Sequence, residues 1–263
     1  MPNVEGVTDT TRDDATDDPT DGWFPESVAA EYDDPEGASL PEVVNPAVDL
    51  LADLADGGPV LELAIGTGRI AVPLAARGIR VSGIELSKAM ASRIGGKPGG
   101  EHIDVTIGDM TSTRVPGEFS LVYLVFNTIA NVTTQDGQVD VFRNAAAHLR
   151  PGGLFLVEVG VPDLRRMPPG QDTVPFTVAP DEGGGYVGFD RYDVATQLFT
   201  SNHVTVTPEG GRFRVVPFRY AWPAEMDLMA RIAGMRLKHR WADWDRSRFE
   251  HESTKQVSVW EKV

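Results

Sequence analysis

The chain has 263 residues, 24 Lys and Arg against 39 Asp and Glu, a formal net charge of −15 and no cysteine. Disulfides and cysteine-based zinc sites are therefore excluded. No apolar run approaches the roughly 18 residues of a membrane span, and no basic stripe offers itself to DNA or RNA. The charge is uneven: residues 1–36 hold twelve acids and one base, leaving a nearly balanced body. A segment so rich in Asp, Thr and Pro buries too little apolar surface to order itself, so residues 1–22 read as a disordered acidic tail. That tail resembles neither a secretory signal nor a transit peptide, and a cytoplasmic location is the expectation.

Order is expected from Trp23-Phe24-Pro25, with a short helix through Ser27 to Tyr32 and a loop at Asp33-Asp34-Pro35-Glu36-Gly37. Asn45-Pro46 reads as an N-cap with proline at the first helical position, and Val48, Leu51, Leu54 and Ala55 follow at helical spacing. A first strand at 60–64 leads into Gly66-Thr67-Gly68 and a helix over about 69–77. A second strand runs to Glu85, and Ser87 caps a helix through Met90. The third strand, Ile103 to Ile107, ends at Gly108-Asp109-Met110, and the fourth, Phe119 to Val125, at Phe126-Asn127. A helix from Gln135 to Leu149 stops at Pro151-Gly152-Gly153 before a fifth strand, Leu154 to Val159. Strands alternating with helices at this spacing specify a doubly wound parallel sheet, with every strand-to-helix loop on one edge.

Residues 161–220 break the rhythm. They open with Pro, Arg and Gly and then alternate, as two to four antiparallel strands would. The earlier pattern resumes with a helix from Pro223, a strand from Met235 to Trp241, and a last strand, Gln256 to Glu261, expected at the sheet edge.

The chemistry lies at the strand ends. A glycine turn followed by an acid at the end of the next strand is how a ribose is gripped, because the carboxylate accepts both hydroxyl protons. A dinucleotide fingerprint requires a third glycine where this chain has Ala71. Glu62 stands before the turn, where it would repel a pyrophosphate and suit a ligand bearing an ammonium group. An NAD-dependent oxidoreductase is thus the weaker alternative.

The residues Glu62-Leu-Ala-Ile-Gly-Thr-Gly68, Glu85-Leu-Ser, Gly108-Asp109-Met110 and Leu149-Arg-Pro-Gly-Gly153 resemble class I S-adenosylmethionine-dependent methyltransferases, in order over roughly 45–263. The resemblance implies a Rossmann-like seven-stranded sheet whose last strand is antiparallel, with an inserted antiparallel β lid after strand five. It divides the chain into the tail, a cofactor-binding core with an N-terminal lid helix at 23–160, the lid or substrate lobe at 161–220, and a C-terminal completion of the core at 221–263. It implies S-adenosyl-L-methionine as cofactor and S-adenosyl-L-homocysteine as product. Around the cofactor it places Glu62, Ala64, Gly66, Thr67, Gly68 and Arg69, then Glu85 (ribose), Leu86 and Met90. Asp109 and Met110 fall at the adenine and Asn127 beside the sulfonium, with Gly108 and Phe126 also among the cofactor-binding residues. Bacterial small-molecule methyltransferases, including aminosugar N-methyltransferases and natural-product tailoring enzymes, are the nearest kind.

The implied reaction is in-line displacement at a sulfonium methyl, with most of the work in positioning and desolvation. Glu158, His203 and Tyr32 are the catalytic candidates, each with a structural alternative: a partner for a lid arginine, a lobe strand position, core packing. Asp163, Arg165, Arg191, Tyr192 and Trp222 are candidates for contact with a small-molecule acceptor on nitrogen or oxygen. No histidine has metal-ligand spacing, so no metal is expected, nor any nucleic-acid or membrane partner. The 186–220 strands are the candidate surface for homodimerisation. A non-catalytic binding protein on the same fold is the remaining alternative.

Overall fold

The computed structural model describes residues 22, 24–30, 32–33, 40–162, 164–181 and 183–263, the side chains of Ser27 and Arg166 excepted. The acidic tail (Gly22 apart), Trp23 and Asp163 fall outside the described residues. The elements are α1 (Glu26–Ala29), α2 (Pro41–Ala55), β1 (Val60–Leu63), α3 (Ala71–Ala75), β2 (Val81–Glu85), α4 (Lys88–Ser92), β3 (Asp104–Ile107), β4 (Phe119–Leu124), α5 (Gln135–His148) and β5 (Leu149–Gly160). They continue with β6 (Thr173–Asp181), β7 (Gly184–Asp193), β8 (Leu198–Thr207), β9 (Gly210–Arg219), α6 (Pro223–Ile232), β10 (Met235–Trp241) and β11 (Lys255–Lys262).

Two compact units result. One spans Leu164–Tyr220, and the other combines the described residues up to 162 with 221–263. The larger holds a seven-stranded sheet of order β10-β11-β5-β4-β1-β2-β3. Strands β3, β2, β1, β4 and β5 are parallel, and β11 runs antiparallel to both β5 and β10. Every residue of β1 and β4 is buried, as expected of parallel strands covered on both faces. On one face Leu61, Leu63, Phe142 and Phe155 pack with Trp260, where Phe142 meets Phe155 and Trp260 edge-on at 5.1 Å each. On the other, Val60, Tyr123 and Leu156 pack with Leu51 of α2 and Leu74 of α3. Strand order reverses between β1 and β4, and in such sheets ligands bind in the crevice outside the carboxyl ends at that point.

Three local expectations are corrected. Helix α2 begins at Pro41, with Leu40 as N-cap, and contains Pro46. Proline is equally suited to position N1 there, and the N–H missing from Pro46 takes a partner only from the Glu42 carbonyl, in the exposed first turn. Strand β5 starts at Leu149: Phe119 pairs with Leu149 and Leu121 with Leu154, so Pro151-Gly152-Gly153 bulges out of the strand, with Gly152 at φ 72°. The last strand is internal. Gln256 through Trp260 are all buried, whereas the neighbouring β10 carries Arg236, Lys238 and Arg240 and is exposed along its middle, the composition that guards a sheet edge.

The smaller unit is a four-stranded antiparallel meander, β6-β7-β8-β9. On one face Tyr192 stacks on Phe199 and Phe199 on Phe218, each at 5.0 Å.

Candidate active site

The carboxyl end of β1 turns sharply. Ala64 takes φ 53°, and the turn closes through Gly66 at 59° and Gly68 at 77°. A side chain on Gly68 would also press on Ile94 and Val72 at 3.1 Å, so that position requires glycine twice over. Glu85, 6% exposed, ends β2 beside this turn. Its Oε2 accepts from the Gly66 N–H at 2.7 Å and its Oε1 from the Ser87 N–H at 2.9 Å. Two backbone donors thus fix the carboxylate's orientation without exhausting its acceptor sites.

The segment before α2 is tied to the same turn. The Thr67 hydroxyl donates to Asp33 Oδ1 at 2.6 Å. Lys97 bridges both partners, donating to the Thr67 carbonyl at 2.6 Å and pairing with Asp33 Oδ2 at 2.7 Å. Ser87 caps α4 by accepting from Met90 N–H at 3.0 Å and donates its own hydroxyl to the Phe24 carbonyl at 2.7 Å. Arg93 pairs with Glu26. Tyr32 and Phe24 pack on Ala29, Ala89 and Met90. Burial raises the Tyr32 hydroxyl pKa, and the charges of Arg69 (which opposes the rise), Glu85 and Glu62 act on it. Sequence spacing gave no sign of Asp33 or Lys97, because each meets the turn from a glycine-rich or irregular segment.

The ends of β4 and β5 form the opposite wall. Phe126 and Asn127 both adopt positive φ, 59° and 61°, an unfavourable pair for residues other than glycine. Their neighbours hold them there. Phe126 N–H donates to Glu158 Oε2 at 2.6 Å, and Asn127 Oδ1 accepts from Gly160 N–H at 2.6 Å. The Arg69 guanidinium lies over the Phe126 ring, 4.1 Å from its centre. Glu158 is raised above the usual carboxylate range by burial, against the Phe126 N–H and the charges of Lys255 and Arg69. Glu62, on β1, is pushed up to about 8 by burial, although the Tyr123 hydroxyl and Arg69 favour its charged form. A cavity of about 400 Å³ opens here, lined by Arg69, Phe126, Glu158, Asp243, Trp244 and Lys255 among others.

On the far side, Gly108 N–H donates to the Glu85 carbonyl at 2.8 Å. Asp109 Oδ1 accepts from Thr111 N–H at 2.8 Å, folding the loop back on itself.

A methyltransferase domain model matches residues 60–153. The structure resembles the CcbJ methyltransferase from Streptomyces caelestis, with TM-score 0.77 and 33% identity over 85% of this chain and 97% of that one. The chain belongs to the class I S-adenosylmethionine-dependent methyltransferases. The cypemycin N-terminal methyltransferase of a Streptomyces species is 27% identical over 193 residues, 69% of this chain and 74% of that protein. The S-adenosylmethionine-bound amino pentose methyltransferase CalS10 from Micromonospora echinaspora shares the fold, with TM-score 0.65 and 18% identity over 89% of this chain and 95% of that one.

The methyltransferase's cofactor is S-adenosyl-L-methionine, and the residues at the crevice suit it. A buried, backbone-oriented carboxylate ends β2, a tight glycine turn precedes α3, and acidic groups stand where a cationic ligand would be neutralised. Among the described residues no cluster of His, Asp and Glu could hold a metal ion, and no helix is long and apolar enough to cross a membrane.

Of the predicted residues, Glu62, Ala64, Gly66, Thr67, Gly68, Arg69, Glu85, Leu86, Met90, Gly108, Asp109, Met110, Phe126, Asn127 and Glu158 all belong to the larger unit, on the parallel strands of its sheet or the segments that follow them, and Tyr32 belongs to it in the segment before α2. Trp222, 40% exposed, precedes α6 in the same unit. The other four lie in the smaller unit. His203 engages both ring nitrogens there: Nδ1 meets the Tyr186 hydroxyl at 2.5 Å and Nε2 the Ser201 hydroxyl at 3.3 Å. Burial and then Arg214 lower its pKa, against Asp190. Arg191 pairs with Asp172 at 3.0 Å, Tyr192 belongs to the aromatic stack, and Arg165 is exposed.

Proposed function

We propose that the enzyme methylates a small molecule of natural-product or sugar-like type, at an amine nitrogen in preference to an oxygen, in the cavity at the ends of β4 and β5. The observation that carries this reading is the cavity's lining: Glu42, Glu158, Asp243 and Asp245 against Arg69 and Lys255, with Phe126 and Trp244 as aromatic walls. Lys255 is already paired with Asp243 at 2.7 Å. An excess of carboxylates beside aromatic faces suits an acceptor that arrives as an ammonium ion. The relative named for N-terminal methylation of cypemycin supports nitrogen as well.

The bound cofactor supplies a methyl group on a positively charged sulfur. Glu85 would take the ribose hydroxyls, Gly66 to Gly68 and Arg69 would border the methionine portion, Glu62 would serve its ammonium group, and Asp109 with Met110 would meet the adenine. Ala64, Leu86, Met90 and Asn127 complete the enclosure, and Tyr32 covers it. Glu158, held by Phe126 N–H, takes the proton from the acceptor ammonium. The neutral nitrogen so formed would have its lone pair free for the methyl group that the cofactor would supply, with S-adenosyl-L-homocysteine as the leaving group. We assign the base to Glu158 over His203, whose two ring nitrogens already have partners.

The test is a mass-spectrometric screen of matched amine and alcohol acceptors for the gain of one methylene, followed by Glu158→Gln. Amine acceptors should react, and the variant should lose about a hundredfold in kcat with cofactor affinity kept. Turnover of alcohols alone would sink the nitrogen assignment.

A further inference from the structure

Two residues one turn apart on α5 hold one of the loops of the crevice. Asn144 and His148 are 1% and 2% exposed. Asn144 Nδ2 donates to the Met110 carbonyl at 2.7 Å and to the Thr113 carbonyl at 3.0 Å. Two carbonyl acceptors fix which end of the amide points at the loop, and its Oδ1 has no partner among the described residues. The Asn144 carbonyl accepts from Arg114 at 3.2 Å and faces His148 Nδ1 at 2.8 Å. The other ring nitrogen, Nε2, lies 3.0 Å from the Val115 N–H, which donates to it.

These contacts define the tautomer. Nε2 accepts from a backbone N–H and must carry no proton, so Nδ1 carries it and donates to the Asn144 carbonyl. The entire path from Met110 to Val115 therefore hangs on the helix by two carbonyls, one amide and Arg114. The loop's own bonds close only its first half, where Ser112 N–H and Thr113 N–H donate to the Asp109 carbonyl.

We propose that Asn144 and His148 are positioning residues for the adenine end of the cofactor, holding the Asp109-Met110 loop in its binding geometry, and that a proton on His148 Nε2 releases that hold. The proposal rests on the reading that this loop meets the adenine. A second proton turns the acceptor for Val115 N–H into a donor, leaving two N–H groups face to face in a buried site. Burial lowers the His148 pKa, the Asn144 carbonyl opposes that shift, and Arg114 is the charged group that acts on it, again lowering it. The ring edge of Phe119 closes the remaining side at 6.1 Å. The neutral ring is thus the working form, and acid disturbs it.

The experiment is S-adenosyl-L-homocysteine titration calorimetry between pH 7.5 and 4.5, a range that extends well below the ordinary imidazole value because burial lowers that of His148, on wild type, His148→Gln, Asn144→Ala and Asp109→Ala. Glutamine supplies an amide oxygen for Val115 N–H and does not titrate. Acidification should weaken wild-type binding at least about fivefold more than it weakens His148→Gln. The glutamine profile retains whatever Glu62 contributes, so the difference isolates His148. Asn144→Ala should weaken binding about tenfold at pH 7.5, raising KM for the cofactor while kcat at saturation holds. Coincident pH profiles overturn the role of His148, and unchanged affinity in Asn144→Ala overturns that of Asn144. Weakened Asp109→Ala beside an unchanged Asn144→Ala overturns the positioning alone, whereas wild-type binding by Asp109→Ala removes the adenine placement and the proposal with it. Should a variant not fold, amide exchange of the wild type decides: loss of protection at low pH confined to 110–115 supports the release, and uniform or absent loss refutes it.

Discussion

The Tyr123 hydroxyl donates to Glu62 Oε2 at 2.9 Å, between residues that lie opposite each other on adjacent parallel strands. Both are buried, and the pair sits among aliphatic side chains where a lone carboxylate is costly. Burial raises the tyrosine well above its ordinary value, and the carboxylate beside it pushes in the same direction. The tyrosine therefore stays neutral and serves as a fixed donor.

Stability should depend on this carboxyl. Its folded pKa, about 8, lies above the ordinary value of 4.5, so the folded state holds the extra proton throughout that window. Its contribution is complete below pH 4.5 and is lost as pH rises through 8, by about 1.4 kcal/mol per pH unit at most. Denaturant midpoints of wild type and Glu62→Gln should diverge over that interval, with wild type falling. Parallel curves would show that Glu62 is already ionised in the folded protein. Tyr123→Phe removes a bond that favours the charged form, so the Glu62 carboxyl resonance should titrate at higher pH than in wild type.

Arrival of a cationic cofactor should reverse that protonation. S-adenosyl-L-methionine binding near neutral pH should release a proton, read by calorimetry in buffers of different ionisation enthalpy. Glu62→Gln should bind without the release. A buffer-independent enthalpy in wild type would place the cofactor's charge away from Glu62.

Glu85 is the residue whose replacement should cost cofactor affinity most. Alanine removes the ribose acceptor and releases the Gly66 and Ser87 N–H groups, weakening binding by about 1–3 kcal/mol. Glutamine should fare little better, because its NH₂ confronts one of those two backbone donors. A fully competent Glu85→Gln enzyme would mean that the carboxylate serves the turn rather than the ligand.

The Asp33 and Lys97 pair predicts a smaller effect with a different signature. Both side chains are roughly one-third exposed, so the ion pair is worth about 1 kcal/mol or less. Lys97→Met should raise the cofactor Kd severalfold at low salt, with the difference from wild type narrowing at high salt. An unchanged Kd at low salt would show that Asp33 needs no ion pair because the apolar contacts of Phe24 and Tyr32 hold this part of the chain.

The cofactor side of the site was legible in the sequence because its determinants are local. Gly66 and Gly68 announce a backbone geometry, and Glu85 and Asp109 are charges placed where apolar strands end. The alternation of strands and helices was legible too, but not the place of β11, whose alternating sequence read as an edge although all of Gln256 to Trp260 is buried. Burial on the polar face of that strand depends on partners such as Arg240, which donates to the Ser258 hydroxyl at 2.9 Å and has no spacing that would reveal it. The acceptor side was legible only in part: Arg69, Phe126 and Glu158 were candidates, whereas the cavity's remaining charged groups were not. Trp244, Asp243 and Lys255 reach the cavity from a loop and a strand end far along the chain. Asn144 and His148 read as ordinary helix positions, because their work is done on the backbone of another segment.

The pairing of Lys255 with Gly160 joins β5 to a strand on the other side of an entire inserted unit. Residues 60–110 complete the glycine turn and its carboxylate through contacts between near neighbours in sequence, whereas the acceptor cavity needs α2, β4, β5 and the β10–β11 loop together. Nascent or refolding chains should therefore form the glycine turn and its carboxylate before the acceptor cavity, because short-range loops close at lower entropic cost than long-range ones. The Gly66 N–H to Glu85 bond and the pairing of β5 with β11 would then report on different stages of folding.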